Sequence, residues 1–279
     1  MNEPTMFASD SLRRVALVML LVSVMLPATL TMATAGNLNV RRRVLSQGTV
    51  VWSSGFETGD FSEWTDNYDY RTGAVGIVTS SFQHSGTYSN YAYYVGPPGG
   101  DNRRAYPSYY PPTYRPAHFL IELWVYVPSV VNGETVKLTD WSSFISIWVS
   151  KGFWQEAYPI TVDSVWWANG RNQELMMNLH MLPNGVLLQT NPIKWPFDKW
   201  FKIGLEVDLH PGTANTRVTV YQDNIAIINW VGDLGNTSVG YSGTVTYDGL
   251  SDSHFGFYAG NKQGTLAFYN DDIVIYAFT

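Results

Sequence analysis

The fold is decided by one segment near each end of the domain, Gly55-Phe56-Glu57-Thr58-Gly59-Asp60-Phe61-Ser62-Glu63-Trp64 and Phe268-Tyr269-Asn270-Asp271-Asp272-Ile273-Val274-Ile275-Tyr276. The first is typical of a strand that runs into a Gly/Asp/Ser turn, and the second is typical of a closing strand. In a jelly roll the first and last strands lie side by side, so we expect the acidic residues of the two segments to converge. Together they predict an all-β chain folded as a two-sheet antiparallel β-sandwich, a jelly roll.

Alternation of apolar and polar residues between these segments supports the same architecture. Every second residue is apolar in 119–127, and the same period recurs in 201–209 and 175–181. A period of two is that of a strand with one buried face. Gln222-Asp223-Asn224 predicts a tight hairpin, because Asp and Asn tolerate positive φ angles. The Pro- and Tyr-rich segment 96–116 is predicted to be a long extended loop.

Four segments, in order, resemble the concanavalin A-like lectin/glucanase superfamily. In chain order they are the first end segment, the segment 200–224 with W-F-x-I-x-L-E-V at 200–207 and V-x-V-Y-x-D-N at 218–224, His254-Phe255-Gly256-Phe257-Tyr258-Ala259-Gly260, and the last end segment. The resemblance extends from Val50 to Thr279 and implies a concanavalin A-like jelly-roll domain over residues 49–279. Members of this superfamily include carbohydrate-binding modules and polysaccharide-degrading enzymes.

Residues 1–35 are predicted to be a signal peptide. Arg13-Arg14 form a positive region, residues 15–26 an apolar region, and Ala33-Thr34-Ala35 a small-residue cleavage site. Residues 36–48 are then a short basic linker. The protein is expected to be secreted or held at the cell surface, and to contact a membrane only through this segment if the segment is not cleaved.

Composition narrows the class of partner. The chain has no cysteine, so an exported domain is expected to gain its stability from core burial, helped by a metal, and not from disulfides. Its net charge of −6 argues against nucleic acid as a partner, because proteins that bind nucleic acid need a basic surface. The 11 Trp and 18 Tyr residues predict exposed ring faces, for which the apolar faces of sugar rings are natural partners.

We therefore expect a polysaccharide or oligosaccharide to bind in one aromatic and acidic groove formed by the more polar strand faces. The rings and amides assigned to the sugar are those of Trp124, Tyr126, Trp148, Asn178 and Tyr258. The groups that hydrogen-bond sugar hydroxyls, or act as acid and base if the protein is an enzyme, are Glu122, Glu174 and His180.

Two enzyme classes stay open as alternatives, both through resemblance. The segment around Glu174 resembles the nucleophile strand of the family 12 endoglucanases, although Lys262 stands where their acid/base glutamate follows Ala-Gly. Asn178-Leu179-His180 resembles the Gln-Ile-His of jelly-roll alginate lyases, which implies His180 as a base. Recognition without catalysis is preferred, and a non-catalytic cell-surface structural protein is the third possibility.

A structural calcium ion is predicted where the ends of the domain meet. Glu57 and the pair Asp271 and Asp272 carry hard oxygen ligands of the kind that calcium prefers. Without a cation, carboxylates at two adjoining strand ends would repel one another.

Overall fold

Strands account for nearly all regular structure in the part of the chain that the computed structural model describes. This part comprises residues 48–68, 73–97, 99–100, 102–136, 141–149, 159–165, 173–179, 186–209, 215–232, 249–260 and 264–279. Its strands are β1 Thr49–Ser54, β2 Asp66–Tyr68, β3 Val75–Thr79, β4 Ser89–Tyr94, β5 Arg103–Tyr109, β6 His118–Tyr126, β7 Val130–Val131, β8 Glu134–Thr135, β9 Trp141–Trp148, β10 Pro159–Val165, β11 Glu174–Leu179, β12 Val186–Lys194, β13 Trp200–Asp208, β14 Thr216–Gln222, β15 Ile225–Gly232, β16 Asp252–Ala259 and β17 Leu266–Ala277.

Two large sheets form the sandwich. The eight-stranded sheet has the order β15-β14-β13-β6-β17-β4-β3, with β1 also paired to β17, and the seven-stranded sheet has the order β12-β11-β10-β9-β16-β5-β2. Strand pairs within both sheets are antiparallel, as in the β6–β17 and β9–β16 pairs. The predicted fold class, a two-sheet antiparallel jelly roll, is confirmed.

The core lies between the inner faces of the two sheets, and the sequence pattern identifies its main strands correctly. The apolar residues of β6 and β13 alternate inward because residues of one strand face share a period of two. Trp195 is the largest fully buried side chain and stacks on Phe201 with ring centroids 6.0 Å apart. The buried residues on the two alternating faces are Phe119, Ile121, Leu123, Val125, Val127, Phe201, Ile203, Leu205, Val207 and Leu209.

The first and last strands lie side by side, as the end segments predict. The second half of β17 pairs with β1, where Ser54 is opposite Ile273, and its first half pairs with β4. Between the halves the register against β6 shifts, and Asp272 adopts a positive φ of 48°. This bulge takes Asp272 out of the ladder with β6, directly after Asp271, which pairs with Trp124.

Two local predictions have different outcomes. The hairpin at Asp223 and Asn224 is confirmed, with φ angles of 50° and 66° between β14 and β15. The extended loop predicted for 96–116 is wrong over its middle, which forms β5 between β16 and β2. Proline fixes φ near a value that strands tolerate, so pairing with β16 overrides the local signal of Pro107.

The predicted signal peptide and most of the basic linker lie outside the described residues, and their bounds stay predictions. Within the described ranges, no helix has the length and apolar character needed to cross a membrane.

Candidate functional site

The single groove predicted from the sequence is wrong, because its residues belong to different sheets. Glu122, Trp124 and Tyr126 lie on β6 in the eight-stranded sheet. The strands of the seven-stranded sheet carry the others: Trp148 on β9, Glu174 and Asn178 on β11, and Tyr258 on β16. His180 lies outside the described residues. The predicted roles of the individual residues stay predictions, but the two groups face opposite sides of the sandwich.

On the eight-stranded sheet, the loop before β4 covers the predicted sugar platforms. The His84 ring stacks on Trp124 with centroids 3.9 Å apart, and Phe82 contacts Tyr126 at 4.4 Å. The Glu122 carboxylate forms an ion pair with Lys202 Nζ at 2.7 Å. These rings and this carboxylate therefore contact other groups of the protein.

The outer face of the seven-stranded sheet presents two cross-strand rows, which we call the polar face. Successive residues of each row are paired across β5, β16, β9 and β10, so their side chains emerge on one side. Apart from Arg104 and Tyr258, which are half-buried, all have exposed fractions of 4% or less. The first row is Ser108, His254, Ser146 and Thr161, and the second is Arg104, Tyr258, Ser143 and Asp163.

His254 is the most constrained group of the polar face. Its Nε2 lies 3.1 Å from Asp252 Oδ2, and its ring stacks on Tyr106 at 4.2 Å and contacts Trp148 at 4.4 Å. Burial raises the pKa of Asp252, and the nearby His254 acts in the opposite direction. The arrangement supplies a positioned imidazole between two aromatic rings.

Tyr258 lies beside this centre in the second row. Its Oη accepts hydrogen bonds from Asn102 Nδ2 at 2.9 Å and from the Arg104 guanidinium at 3.2 Å, and the guanidinium also lies 4.5 Å from the centre of the ring. The pair fixes the tyrosine at the β5 side of the face.

Two carboxylates lie on the opposite side of the face. Asp163 pairs with Met176, so Glu174 is its diagonal neighbour on the same side of β11. Diagonal neighbours in antiparallel sheets are separated by about 7–8 Å. Both carboxylates are buried, and a spacing of this order is compatible with the two-carboxylate chemistry of glycosidases.

Three hydroxyls of the polar face lack hydrogen-bond partners. Within the described part of the chain, Ser108 Oγ, Ser143 Oγ and Thr161 Oγ1 are all buried and unpartnered. Leaving a buried polar group unsatisfied costs about 1–3 kcal/mol. Three such groups lie in two adjoining rows of this face.

Sequence reasoning missed Tyr106, Asp163, Asp252 and His254. The alternation of Arg104, Tyr106 and Ser108 is typical of a strand with these three side chains on one face, but the prolines around it favoured a loop. The Asp252-x-His254 spacing was another, because residues two apart on a strand share a face.

The three residues predicted to bind calcium meet at the β1–β17 junction. Glu57 accepts hydrogen bonds from the amides of Thr87 and Tyr88, at 2.9–3.1 Å. Asp271 accepts the amides of His84 and Ser85 at 2.9 and 3.2 Å. All these acceptors therefore hold the same loop, residues 84–88.

Asp272 completes this junction. Its carboxylate binds His84 Nδ1 at 2.6 Å and Ser85 Oγ at 2.7 Å. These hard oxygens suit calcium, but the described residues include no group of three or more His, Asp or Glu side chains placed as ligands around one point. Calcium binding stays a prediction.

Comparison with known proteins places the fold. No family model and no curated protein matches the sequence. Among solved structures, the cellulose-induced protein Cip1 matches with a TM-score of 0.52 at 16% identity, over 81% of this chain and 97% of that one. The alginate lyase vAL-1 from Chlorella virus matches with a TM-score of 0.53 at 12% identity, over 82% and 100%.

A further match is the alginate lyase Aly36B, with a TM-score of 0.52 at 8% identity over 83% of this chain and 99% of the other. Identities this low show a shared fold and not a shared activity. The chain has the concanavalin A-like jelly-roll fold that its end segments indicate.

Proposed function

We propose that this protein recognises a polysaccharide on the polar face of its seven-stranded sheet. The observation that carries the proposal is the set of three buried hydroxyls, on Ser108, Ser143 and Thr161, without hydrogen-bond partners in the described structure. Sugars carry a donor and an acceptor at each hydroxyl, so a bound chain would satisfy these groups. The similarity of the fold to a cellulose-induced protein and to an alginate lyase supports the same proposal.

Aromatic rings beside the hydroxyls supply the second element of sugar recognition. Trp148 is half-buried at the end of β9 and lies next to His254. Its ring offers apolar surface to the C–H face of a sugar, and contacts of this kind contribute about 1–3 kcal/mol by analogy with aromatic platforms for bases.

The test compares binding of a polysaccharide panel to wild type, Trp148→Ala and Trp124→Ala. The proposal predicts that Trp148→Ala weakens binding by about 5- to 150-fold, which corresponds to the loss of about 1–3 kcal/mol. It also predicts that Trp124→Ala, on the other sheet, retains binding. Loss of binding in Trp124→Ala alone would place the site on the eight-stranded sheet, and failure of every polysaccharide to bind would overturn the proposal.

A second candidate function, polysaccharide lyase, is favoured by the geometry of His254. The imidazole Nε2 lies 3.1 Å from Asp252 Oδ2, and the ring stacks on Tyr106. β-Elimination requires a positioned base, usually His or Tyr, and a group that neutralises the uronate carboxylate, for which Arg104 is the available cation. Release of unsaturated uronates from a polyuronate, lost in His254→Ala, is the expected result for this candidate.

We also propose that the domain is exported and binds calcium as a structural ion at Glu57, Asp271 and Asp272. Export follows from the predicted signal peptide. Calcium would bridge the β1–β17 junction and the loop that these carboxylates hold.

A further inference from the structure

Three tyrosines on the outer face of the eight-stranded sheet are stacked ring on ring, and we call them the tyrosine stack. Tyr91 lies between Tyr93 and Tyr269, with ring centroids 4.8 and 4.4 Å away and interplanar angles of 19° and 22°. Tyr93 is two residues from Tyr91 on β4, and Tyr269 lies directly opposite Tyr91 on β17. All three side chains are half-buried, so each keeps part of its surface in solvent.

The strand ladder fixes the position of the stack. Tyr91 is also paired with Ile77 on the edge strand β3, and Tyr269 is paired with Tyr126 on β6. The Tyr126 ring is edge-on to Tyr269, with centroids 6.0 Å apart, and contacts Phe82 at 4.4 Å. Within this cross-strand row, Tyr91 and Tyr269 are therefore the tyrosines that lie face to face across two strands.

Two tyrosines stacked at this distance are positioned for oxidative coupling. Nearly parallel rings with centroids 4.4 Å apart bring their carbons close to van der Waals contact, at about 3.5–4.0 Å. A phenol that loses one electron and one proton becomes a phenoxyl radical, whose unpaired electron is shared with the ring carbons next to the hydroxyl. Two such radicals on neighbouring strands combine without having to diffuse together, which is the advantage of a fixed geometry.

We propose that Tyr91 and Tyr269 form a site of oxidative crosslinking, at which hydrogen peroxide acting through a haem peroxidase joins β4 covalently to β17. Each phenol gives up one electron and one proton, and a carbon–carbon bond forms between one ε carbon of each ring. The hydrogen on each of these carbons then moves to the hydroxyl oxygen, which restores both phenols. The peroxide takes up the two electrons and the two protons and leaves as two molecules of water.

The crosslink takes the place that a disulfide has in other exported domains. The chain has no cysteine, and Tyr91 and Tyr269 are about 180 positions apart, so the new bond closes most of the domain into one loop. A covalent bond across a long loop stabilises the fold mainly by restricting the unfolded chain. It also attaches β4, which holds the edge strand β3, to the closing strand of the sandwich.

The test treats the full chain, at low protein concentration, with a haem peroxidase and hydrogen peroxide. Dityrosine fluorescence, intact mass and peptide mapping follow the product. The variants are Tyr91→Phe and Tyr269→Phe, which keep the stacked ring but cannot form a phenoxyl radical, and the control is Tyr114→Phe, which removes a tyrosine that is 56% exposed. We expect a monomer that has lost two hydrogens, with Tyr91 and Tyr269 in the linked peptides. The yield should fall by about tenfold or more in Tyr91→Phe and in Tyr269→Phe, because the pre-positioned partner is lost, and stay unchanged in Tyr114→Phe.

Stability is the second measurement. The crosslinked monomer should melt about 5–10 °C above the untreated protein, and the same treatment should not raise the melting temperature of Tyr91→Phe. Crosslinks that form only between molecules, a monomer linked through another pair of residues, or a crosslinked monomer with an unchanged melting temperature would each overturn the proposal. Melting curves of the untreated variants check that they are folded. The tyrosine stack and the polar face lie on different sheets, so the outcome is independent of the proposed function.

Discussion

Thr161→Val should stabilise the protein and weaken its ligand binding at the same time. The Thr161 side chain is 3% exposed, and its hydroxyl has no hydrogen-bond partner in the described structure. Valine has nearly the same shape and removes the unsatisfied group. Since such a group costs about 1–3 kcal/mol, the variant should gain about 1–2 kcal/mol, which raises the melting temperature by about 2–8 °C for a domain of this size.

Ligand affinity should change in the opposite direction. A hydroxyl that gains its partner only from the sugar contributes about 0.5–1.5 kcal/mol to binding. Its removal should therefore weaken the affinity by about two- to tenfold. Calorimetric melting of the free protein and titration with the polysaccharide measure the two effects separately.

Thr265→Val is the matched control. The Thr265 hydroxyl is buried in the same way but donates to Glu134 Oε2 at 2.8 Å. The same substitution there should lower the melting temperature and leave binding unchanged. If Thr161→Val is destabilised as much as Thr265→Val, the Thr161 hydroxyl has a partner within the protein and the reasoning about the polar face fails.

Three further predictions concern the ends of the chain. Burial, and secondarily the charge of Asp272, raises the pKa of Asp271 from 3.8 to about 6, so its stabilising contribution is complete below pH 4 and is lost as the pH rises to about 6. With chelator present, wild type should therefore lose stability between about pH 4 and pH 6, whereas Asp271→Asn should not. The difference between their unfolding free energies should grow by about 1–2 kcal/mol over this range, once solvent screening is allowed for. A difference that does not change with pH would contradict the prediction. If calcium binds at the junction, chelator should lower the melting temperature of wild type but not of Glu57→Ala, and equal melting curves with and without chelator would refute the site. The exported protein should begin at or near Gly36 by N-terminal sequencing, whereas recovery of residues 1–35 on it would identify an anchor.

Local patterns predict much of this fold because burial acts on each strand separately. The apolar faces of β6 and β13, the β14–β15 hairpin and the pairing of the end strands all follow from residues close together in sequence, or from motifs of the fold. The site does not follow in this way. Glu122 and Glu174 lie on strands with the same alternation, and alternation shows which side of a strand is buried but not which sheet the strand joins.

Sheet membership depends on pairing between distant segments. β5 lies between β16 and β2, and β6 lies between β13 and β17, so two strands that are consecutive in the chain lie in different sheets. The polar face accordingly draws on residues from Arg104 to Tyr258, and its central pair of His254 and Tyr106 is brought together only by the β5–β16 ladder. The two residues are too far apart in the sequence for any local pattern to relate them.

The contrast between the two outer faces supports the proposal that the ligand site lies on the seven-stranded sheet. On the outer face of the eight-stranded sheet, several polar groups pair with each other: Glu122 binds Lys202, and the Glu206 carboxylate contacts His118 Nε2 at 3.0 Å and accepts the Tyr221 hydroxyl at 2.6 Å. These groups have hydrogen-bond or ion-pair partners within the protein and need none from a ligand. On the polar face, the buried hydroxyls of Ser108, Ser143 and Thr161 have no hydrogen-bond partner among the described residues. The proposed sugar ligand would supply these partners when it is bound, and for that reason the seven-stranded sheet is the face that the binding experiments should test first.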